Sequence, residues 1–411
     1  MELLGLFLVF TVTAMAFTDS SSNPMRVLVV GAGSISREYA LHHLTPTATG
    51  TVVAGVVDVN LKKALELATE VGSAQAGAQV TNDQDNKYKA RTTVHKGTPV
   101  PHFTSLSSAL DECQDIDIVY IGTTPKSHRE LVEKSLQHGK HVLLEKPNAA
   151  DLADADAIVA AADASSCVLA MNIGMRYNRA LQELKRRVLE DQELGGSQIK
   201  GVLKTHYRQW PREWQTQPWC AGRDEGGPLR EVGTHFFSAL LEFAGAHKQA
   251  KRVPVTARFR ATVVYPESSS CQVNENELLP CETRAHGVIE LMGGDLPPSG
   301  LAIDFSVETG APKDLYELII SSVVDDPMQS KSLTLFDFCS LRNDADEVIV
   351  RNAPYGRKEC VLALVAAANG STESADTPSH SIVTARHGRN AQRLLDGILH
   401  SKGDWRTVEF D

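Results

Sequence analysis

The 411-residue chain has little that would tie it to nucleic acid, a membrane or a metal. Lys and Arg number 41 against 51 Asp and Glu, a formal net charge of -10, so the concentrated basic surface that a phosphate backbone demands is missing. No apolar run reaches the roughly 20 residues of a membrane-spanning helix. The seven cysteines include no CxxC pair and no His/Cys spacing of a metal site, which argues against a zinc or disulfide scaffold. Low-complexity tracts are lacking too. What is present, 42% hydrophobic and 22% charged residues, is an ordinary globular balance, and the length suits two or three domains. The expected partner is a small molecule, with no metal, no nucleic acid and no stable membrane insertion.

Two local features bear on compartment. An apolar run from Leu3 to Val12 precedes Ala14-Met15-Ala16, a small-x-small cleavage pattern, so residues 1–24 read as a targeting-like segment for the secretory pathway or an organelle, although Glu2 replaces the usual basic residues. In an oxidising compartment Cys271 and Cys281, which flank a short polar loop, are candidates for a disulfide, and Asn369-Gly370-Ser371 is a glycosylation sequon.

From Met25 onward, β-branched runs alternate with helical stretches: RVLVV, TVVAGVVDVN, DIDIVYIGT and KHVLLEK as strands, with REYALHHL, LKKALELATEVG and HRELVEKSLQHG as helices. That pace predicts a parallel, doubly wound sheet. Residues 72–101 show no sustained period and read as an insertion or long loop. Beyond CVLAMNIG, runs with period-two alternation (IKGVLKTHYRQW, VTARFRATVVY, LAIDFSVE) predict a mostly antiparallel sheet with one open face. The fold class is therefore α/β, with a Rossmann-type domain at 25–150 and an α+β domain at 151–411 whose C-terminal end returns to one or the other.

The turn GAGSIS follows the first strand and opens a helix, and Asp58 ends the next strand. Gly31 permits the tight turn and Gly33 lets backbone approach a pyrophosphate. Ser34 and Ile35 begin a helix whose free N–H groups face it. Ser36 stands where Gly or Ala is usual, which slightly loosens the packing argument. Asp58 suits the adenosine ribose hydroxyls and repels a 2′-phosphate, so NAD is expected, with NADP as the alternative.

In an open parallel sheet, ligands bind beyond the carboxyl ends of the strands. Thr123 and Thr124 sit there, as do Glu145 and Lys146, with Pro147 ending the strand. The segments GAGSIS, TTPKSHRELVEKSLQHGKHVLLEKP and GGPLREVGTHFFSALLEFAG, in this order, resemble the Gfo/Idh/MocA family of NAD(P)-dependent oxidoreductases, from about Met25 to the C-terminus. The resemblance implies a Rossmann domain, a second domain with a large open sheet, and homodimers or higher oligomers paired through that sheet. It makes Lys146 the catalytic or substrate-positioning lysine and Glu145 its neighbour at the nicotinamide. It also makes Thr123, Pro125 and His128 the cofactor-side loop, and Arg176 and Tyr177 part of the substrate pocket.

Glu231 and His235 are spaced i, i+4, so on an α-helix the carboxylate would orient the imidazole as a general base. The resemblance gives such a pair the acid/base role, with Asp usual where this chain has Glu231. His206, His286 and His387 lack such context and read as surface or packing residues. Trp210, Trp214 and Trp219 cluster upstream, suited to a sugar face or a loop wall. The expected activity is interconversion of a secondary alcohol and a ketone on a sugar, cyclic polyol or dihydrodiol. The alternatives are a non-catalytic dinucleotide sensor and a redox-neutral glycosidase that retains NAD.

Overall fold

The structure is a computed structural model that describes residues 23–77, 80–83, 86–92, 97–195, 198–246, 254–266, 278–371 and 381–410. The targeting-like segment and the Cys271–Cys281 pairing lie outside the described residues. Among these residues no helix is long and apolar enough to cross a membrane.

The first half contains strands β1 (Met25–Val30), β2 (Thr51–Val57), β3 (Val80–Asp83), β4 (Asn86–Thr92), β5 (His102–Phe103), β6 (Ile118–Ile121), β7 (His141–Leu144) and β8 (Leu169–Met171). Six of them form a parallel sheet in the order β5-β2-β1-β6-β7-β8, which reverses at β1/β6. The strands are apolar on both faces because helices cover both. Their helices are α1 (Ser34–Glu38), which runs into a π-helical turn at Tyr39–His43, α2 (Pro46–Thr49), α3 (Leu61–Gln75), α4 (Leu106–Glu112), α5 (His128–Gln137) and α6 (Leu152–Asp163). Asn60 and Asp151 cap α3 and α6 by accepting from backbone N–H groups of the first turn.

Two expectations change here. Residues 72–101 are not simply a loop: α3 continues to Gln75, and β3 and β4 pair as an antiparallel hairpin. The sheet also runs past the boundary at 150, through α6 to β8.

The second half adds α7 (Arg179–Lys185), β9 (Ile199–Tyr207), α8 (Thr234–Ala244), β10 (Thr256–Val264), β11 (Arg284–Met292), β12 (Leu301–Thr309), β13 (Leu315–Ser322), β14 (Ser332–Phe336), β15 (Ser340–Asn343), β16 (Val348–Val350), α9 (Arg357–Ala368), α10 (Ala385–Leu399) and β17 (Arg406–Glu409). Its nine strands order as β16-β15-β14-β13-β9-β12-β11-β10-β17. Every neighbouring pair is antiparallel except β9 with β12. Alternation puts Leu203, Tyr207, Phe259, Ile303, Phe305 and Leu318 on one face, packed with Phe236, Phe237 and Leu240 of α8, each worth about 1.5–3 kcal/mol on burial.

The halves are not separate beads. Val361 and Leu364 of α9 join Val27, Val29 and Tyr39 in the core on one face of the first sheet. Val383 and Ala385, at the start of α10, join the core on the opposite face. The Asn148 Nδ2 donates to the Ala385 carbonyl at 3.3 Å. This double return holds α8 and the end of β7 on facing walls.

Candidate active site

Gly31 has φ +93, and a Cβ there would lie 2.7 Å from the Gly122 carbonyl oxygen, so no L side chain fits. A Cβ on Gly33 would meet nothing within 4 Å: the ground over the start of α1 is open, which is what an approaching pyrophosphate requires. Ser34 is exposed at the first helical position, and Ile35 packs on the core. Ser36 does not loosen the packing. It is fully buried, and its Oγ donates to the Gly122 carbonyl at 3.3 Å, which locks the turn to the end of β6. The Asp58 carboxylate accepts from Ala32 N–H and Asn60 N–H, both at 2.8 Å. The acid is thereby fixed beside the turn, and these residues fit a dinucleotide.

After β6, the Ser127 Oγ lies 2.8 Å from both Thr123 Oγ1 and the Thr124 carbonyl; its one proton goes to the carbonyl while it accepts from the Thr123 hydroxyl, and Pro125 is buried. The His128 ring spans the carbonyls of Thr123 and Asn148, at 3.2 Å each. Burial holds its pKa below the ordinary histidine value, so the neutral ring donates to only one of them. The imidazole thus clamps the loops after β6 and β7 together.

Beyond β7, Glu145 is buried and its carboxylate turns inward. It accepts from the Tyr120 hydroxyl at 2.8 Å, from Asn172 Nδ2 and from the Lys146 N–H. Burial raises its pKa against the opposing pull of Lys146, Tyr120 and Asn172. Glu145, expected at the nicotinamide, braces the corner from beneath through these contacts. Lys146, joined to Pro147 by a cis peptide, sends its Nζ across to Glu231, 2.8 Å from the carbonyl and 3.5 Å from Oε2.

Glu231 does not pair with His235. The chain at Leu229–Gly233 is π-helical, with i→i+5 bonding, so the α-helical premise that stacks i on i+4 fails at Glu231. Its carboxylate receives Lys146 and, at 3.3 Å, Gln215 Nε2. The His235 Nδ1 lies 2.7 Å from the Tyr355 hydroxyl, and its ring meets Phe338 edge-on at 6.3 Å. Burial pushes the His235 pKa well below the ordinary value, and the charges of Lys146, Arg357 and Arg212 push the same way. The ring is therefore neutral at pH 7. Glu282, fully buried, holds the start of this helix by accepting from Leu229 N–H at 2.7 Å. Among the described residues its other oxygen has no hydrogen-bond partner, and burial pushes its pKa up to about 7.

Residues 25–173 match the family described as "Oxidoreductase family, NAD-binding Rossmann fold", Gfo/Idh/MocA. The segment 25–173 is thus similar to the NAD-binding domain of the Gfo/Idh/MocA oxidoreductases. It is 30% identical over 209 residues to a 1,5-anhydro-D-fructose reductase of Ensifer adhaerens, a match covering 50% of this chain and 53% of the relative. The chain spans about half the length of the curated relatives that head its matches. Its fold superposes on an oxidoreductase from Thermotoga maritima with a TM-score of 0.66 at 14% identity, over 94% of this chain and 98% of that one. It also superposes on GenD2 from gentamicin A biosynthesis, solved in complex with NAD, with a TM-score of 0.64 at 17% identity, over 95% and 97% of the two chains.

Arg176 and Tyr177 do not reach Lys146 or His235 with their polar groups. Arg176 contacts His387 Nε2 and Ser381 Oγ at 2.8 Å each and Glu242 at 3.8 Å. The Tyr177 hydroxyl donates to the Ser381 carbonyl at 2.8 Å. They anchor the returning C-terminal segment, because the turn that carries them (Gly174–Tyr177) packs under it. His387 is a packing residue that completes the capping box of α10 with Thr384. His206 meets Ser306 Oγ at 2.9 Å on the second sheet, and His286 lies exposed on β11. Trp210 donates from Nε1 to the Cys220 carbonyl at 2.9 Å, as part of a loop wall.

The sequence reading missed Tyr355, Gln215 and Asn172. Tyr355 stands in the segment NAPYG, fixed because a Cβ on Gly174 would strike the Tyr355 carbonyl oxygen at 2.7 Å and Gly356 has φ +95. The Pro-x-Gly turn was its only local signal.

Proposed function

We propose that the protein interconverts a secondary alcohol and a ketone on a sugar-like substrate, using NAD or NADP. The observation that supports this best is that Lys146, from the end of the dinucleotide-binding sheet, reaches the helix that carries His235. His235, kept neutral, takes the hydroxyl proton in oxidation and returns it in reduction. For Nε2 to be the base, Nδ1–H must donate to the Tyr355 oxygen, so Tyr355 selects the tautomer. Lys146 stabilises the substrate oxygen as its charge grows, an effect typically worth 10²- to 10³-fold in rate. Glu231 and Gln215 hold the ammonium in place, and Glu145 stiffens the corner behind it. The nicotinamide, when bound, supplies hydride acceptance or donation.

Names among the relatives support the sugar class: the reductase above acts on 1,5-anhydro-D-fructose, and a 29% identical relative in Acidithiobacillus ferrooxidans is a UDP-N-acetylglucosamine 3-dehydrogenase. Two copies would pair through the outer face of the nine-stranded sheet, which sedimentation of the purified protein tests. The activity test is a panel of sugars, polyols and dihydrodiols with each dinucleotide, read as formation or loss of its reduced form. Turnover supports the reading, and absence of both dinucleotide binding and turnover across the panel sinks it.

A further inference from the structure

The connection from β9 to α8 lays Arg212 next to the Lys146–Glu231 pair. The Arg212 backbone N–H and Nε both donate to Gln215 Oε1, at 3.0 and 3.2 Å. The Gln215 Nε2 donates to the Glu231 oxygen that faces Lys146. The two ends of the Gln215 amide are thus fixed by opposite partners, and a continuous chain of polar contacts runs Arg212–Gln215–Glu231–Lys146. The Arg212 guanidinium lies over both Trp214, 4.4 Å from the ring centre, and Trp210, at 5.4 Å. Such cation–π contacts are made through ring faces and use none of the hydrogen-bond donors of the ion.

The donors on its two terminal nitrogens are uncommitted among the described residues. Lys146 has Glu231, and Arg357 has Glu38. For Arg212, among the described residues, neither an ion pair nor a hydrogen bond from its two terminal nitrogens is found. The residue is half-buried, and its charge is felt at His235 together with those of Lys146 and Arg357. Holding an arginine in this way orders a long side chain and keeps its two terminal nitrogens available for the paired contacts that a carboxylate accepts.

Resting on the proposed oxidoreductase reading, we propose that Arg212 is the specificity-determining residue of this site and that the substrate is a sugar acid whose carboxylate docks on its guanidinium edge. The reacting hydroxyl then meets Lys146 and His235 while the carboxylate fixes which carbon is presented. A structural arginine that only staples the loop to Trp210 and Trp214 would support acidic and neutral sugars alike.

The experiment measures binding and turnover of D-glucuronate and D-galacturonate against D-glucose, D-galactose and D-glucose 6-phosphate, with NAD present, for the wild type, Arg212→Met and Arg212→Lys. Binding is followed by thermal shift and calorimetry. The wild type should prefer the uronates, and Arg212→Met should weaken them by roughly 10- to 100-fold more than it weakens the neutral sugars, the range of a charge-assisted contact. Arg212→Lys, which keeps charge but not the fork, should fall between. Equal losses for acidic and neutral sugars in Arg212→Met, an unchanged acid-to-neutral ratio, or a wild-type preference for the neutral or phosphorylated sugars overturns the carboxylate assignment while the oxidoreductase reading stands. If no sugar binds or turns over, both fall.

Discussion

Replacing Lys146 by methionine separates chemistry from architecture, because the lysine is also half of a buried pair. Its side chain is 15% exposed and that of Glu231 8%, with 3.5 Å between Nζ and Oε2. Coulomb attraction at an effective dielectric near 20 gives about 5 kcal/mol gross, and removing one member of such a pair costs about 3–5 kcal/mol because the other is left uncompensated. An unfolding entropy of about 2.1 cal/mol/K per residue over 411 residues converts this to a fall of about 3–6 °C in the midpoint if the chain unfolds as one unit. Lys146→Met should show that fall, retain dinucleotide binding and lose turnover by about 10²- to 10³-fold. The double variant Lys146→Met/Glu231→Gln removes the orphaned charge, so it should recover most of the midpoint and none of the turnover. Calorimetric scanning and steady-state rates read the two effects apart. The reasoning is refuted if the single variant is as stable as the wild type or if the double variant regains activity.

Tyr355→Phe should leave the fold intact and lower kcat about three- to tenfold, the worth of one neutral hydrogen bond, with a changed pH–rate profile rather than a raised KM. Because burial and nearby cations depress the His235 pKa, the acidic limb of kcat/KM for oxidation should lie below the ordinary value of 6.5. A limb at or above it would show that the base is another group. Gly31→Ala places a Cβ 2.7 Å from a carbonyl oxygen at φ +93 and should cost about 1–3 kcal/mol of strain, measured as lost dinucleotide affinity and a lower midpoint. Glu282 has a folded pKa of about 7 against 4.5, so the unfolded chain releases its proton first. Its contribution to stability is therefore present below about 4.5 and is lost as pH rises to about 7, on the order of 3 kcal/mol in all. Glu282→Gln should remove that pH dependence, and an identical pH–midpoint curve would contradict it.

The placement of much of the candidate site was legible because it is local in sequence. Gly31, Gly33, Asp58 and Lys146 sit at strand ends, where a parallel sheet must present its ligand contacts, and short motifs record that placement. Glu231 was misplaced because the i, i+4 rule presumes α-helical winding, and the π-turn at Leu229–Gly233 depends on tertiary packing. Arg176 and Tyr177 were assigned to the pocket by resemblance, whereas the return of Ser381 and His387 claims their polar groups. Tyr355 reaches His235 across more than a hundred residues of chain, and no periodicity encodes such a meeting. The same holds for the mixed sheet: alternation announced its strands, but the parallel β9–β12 pairing follows from chain routing.

The central claim is hydride exchange between a sugar carbon and the dinucleotide at the Lys146–His235 site. Its most direct test is turnover of a substrate deuterated at the reacting carbon, followed by mass analysis of the dinucleotide. The account predicts one deuterium in the reduced dinucleotide for each ketone formed, and none in Lys146→Met. Product formation with the dinucleotide unlabelled would contradict it.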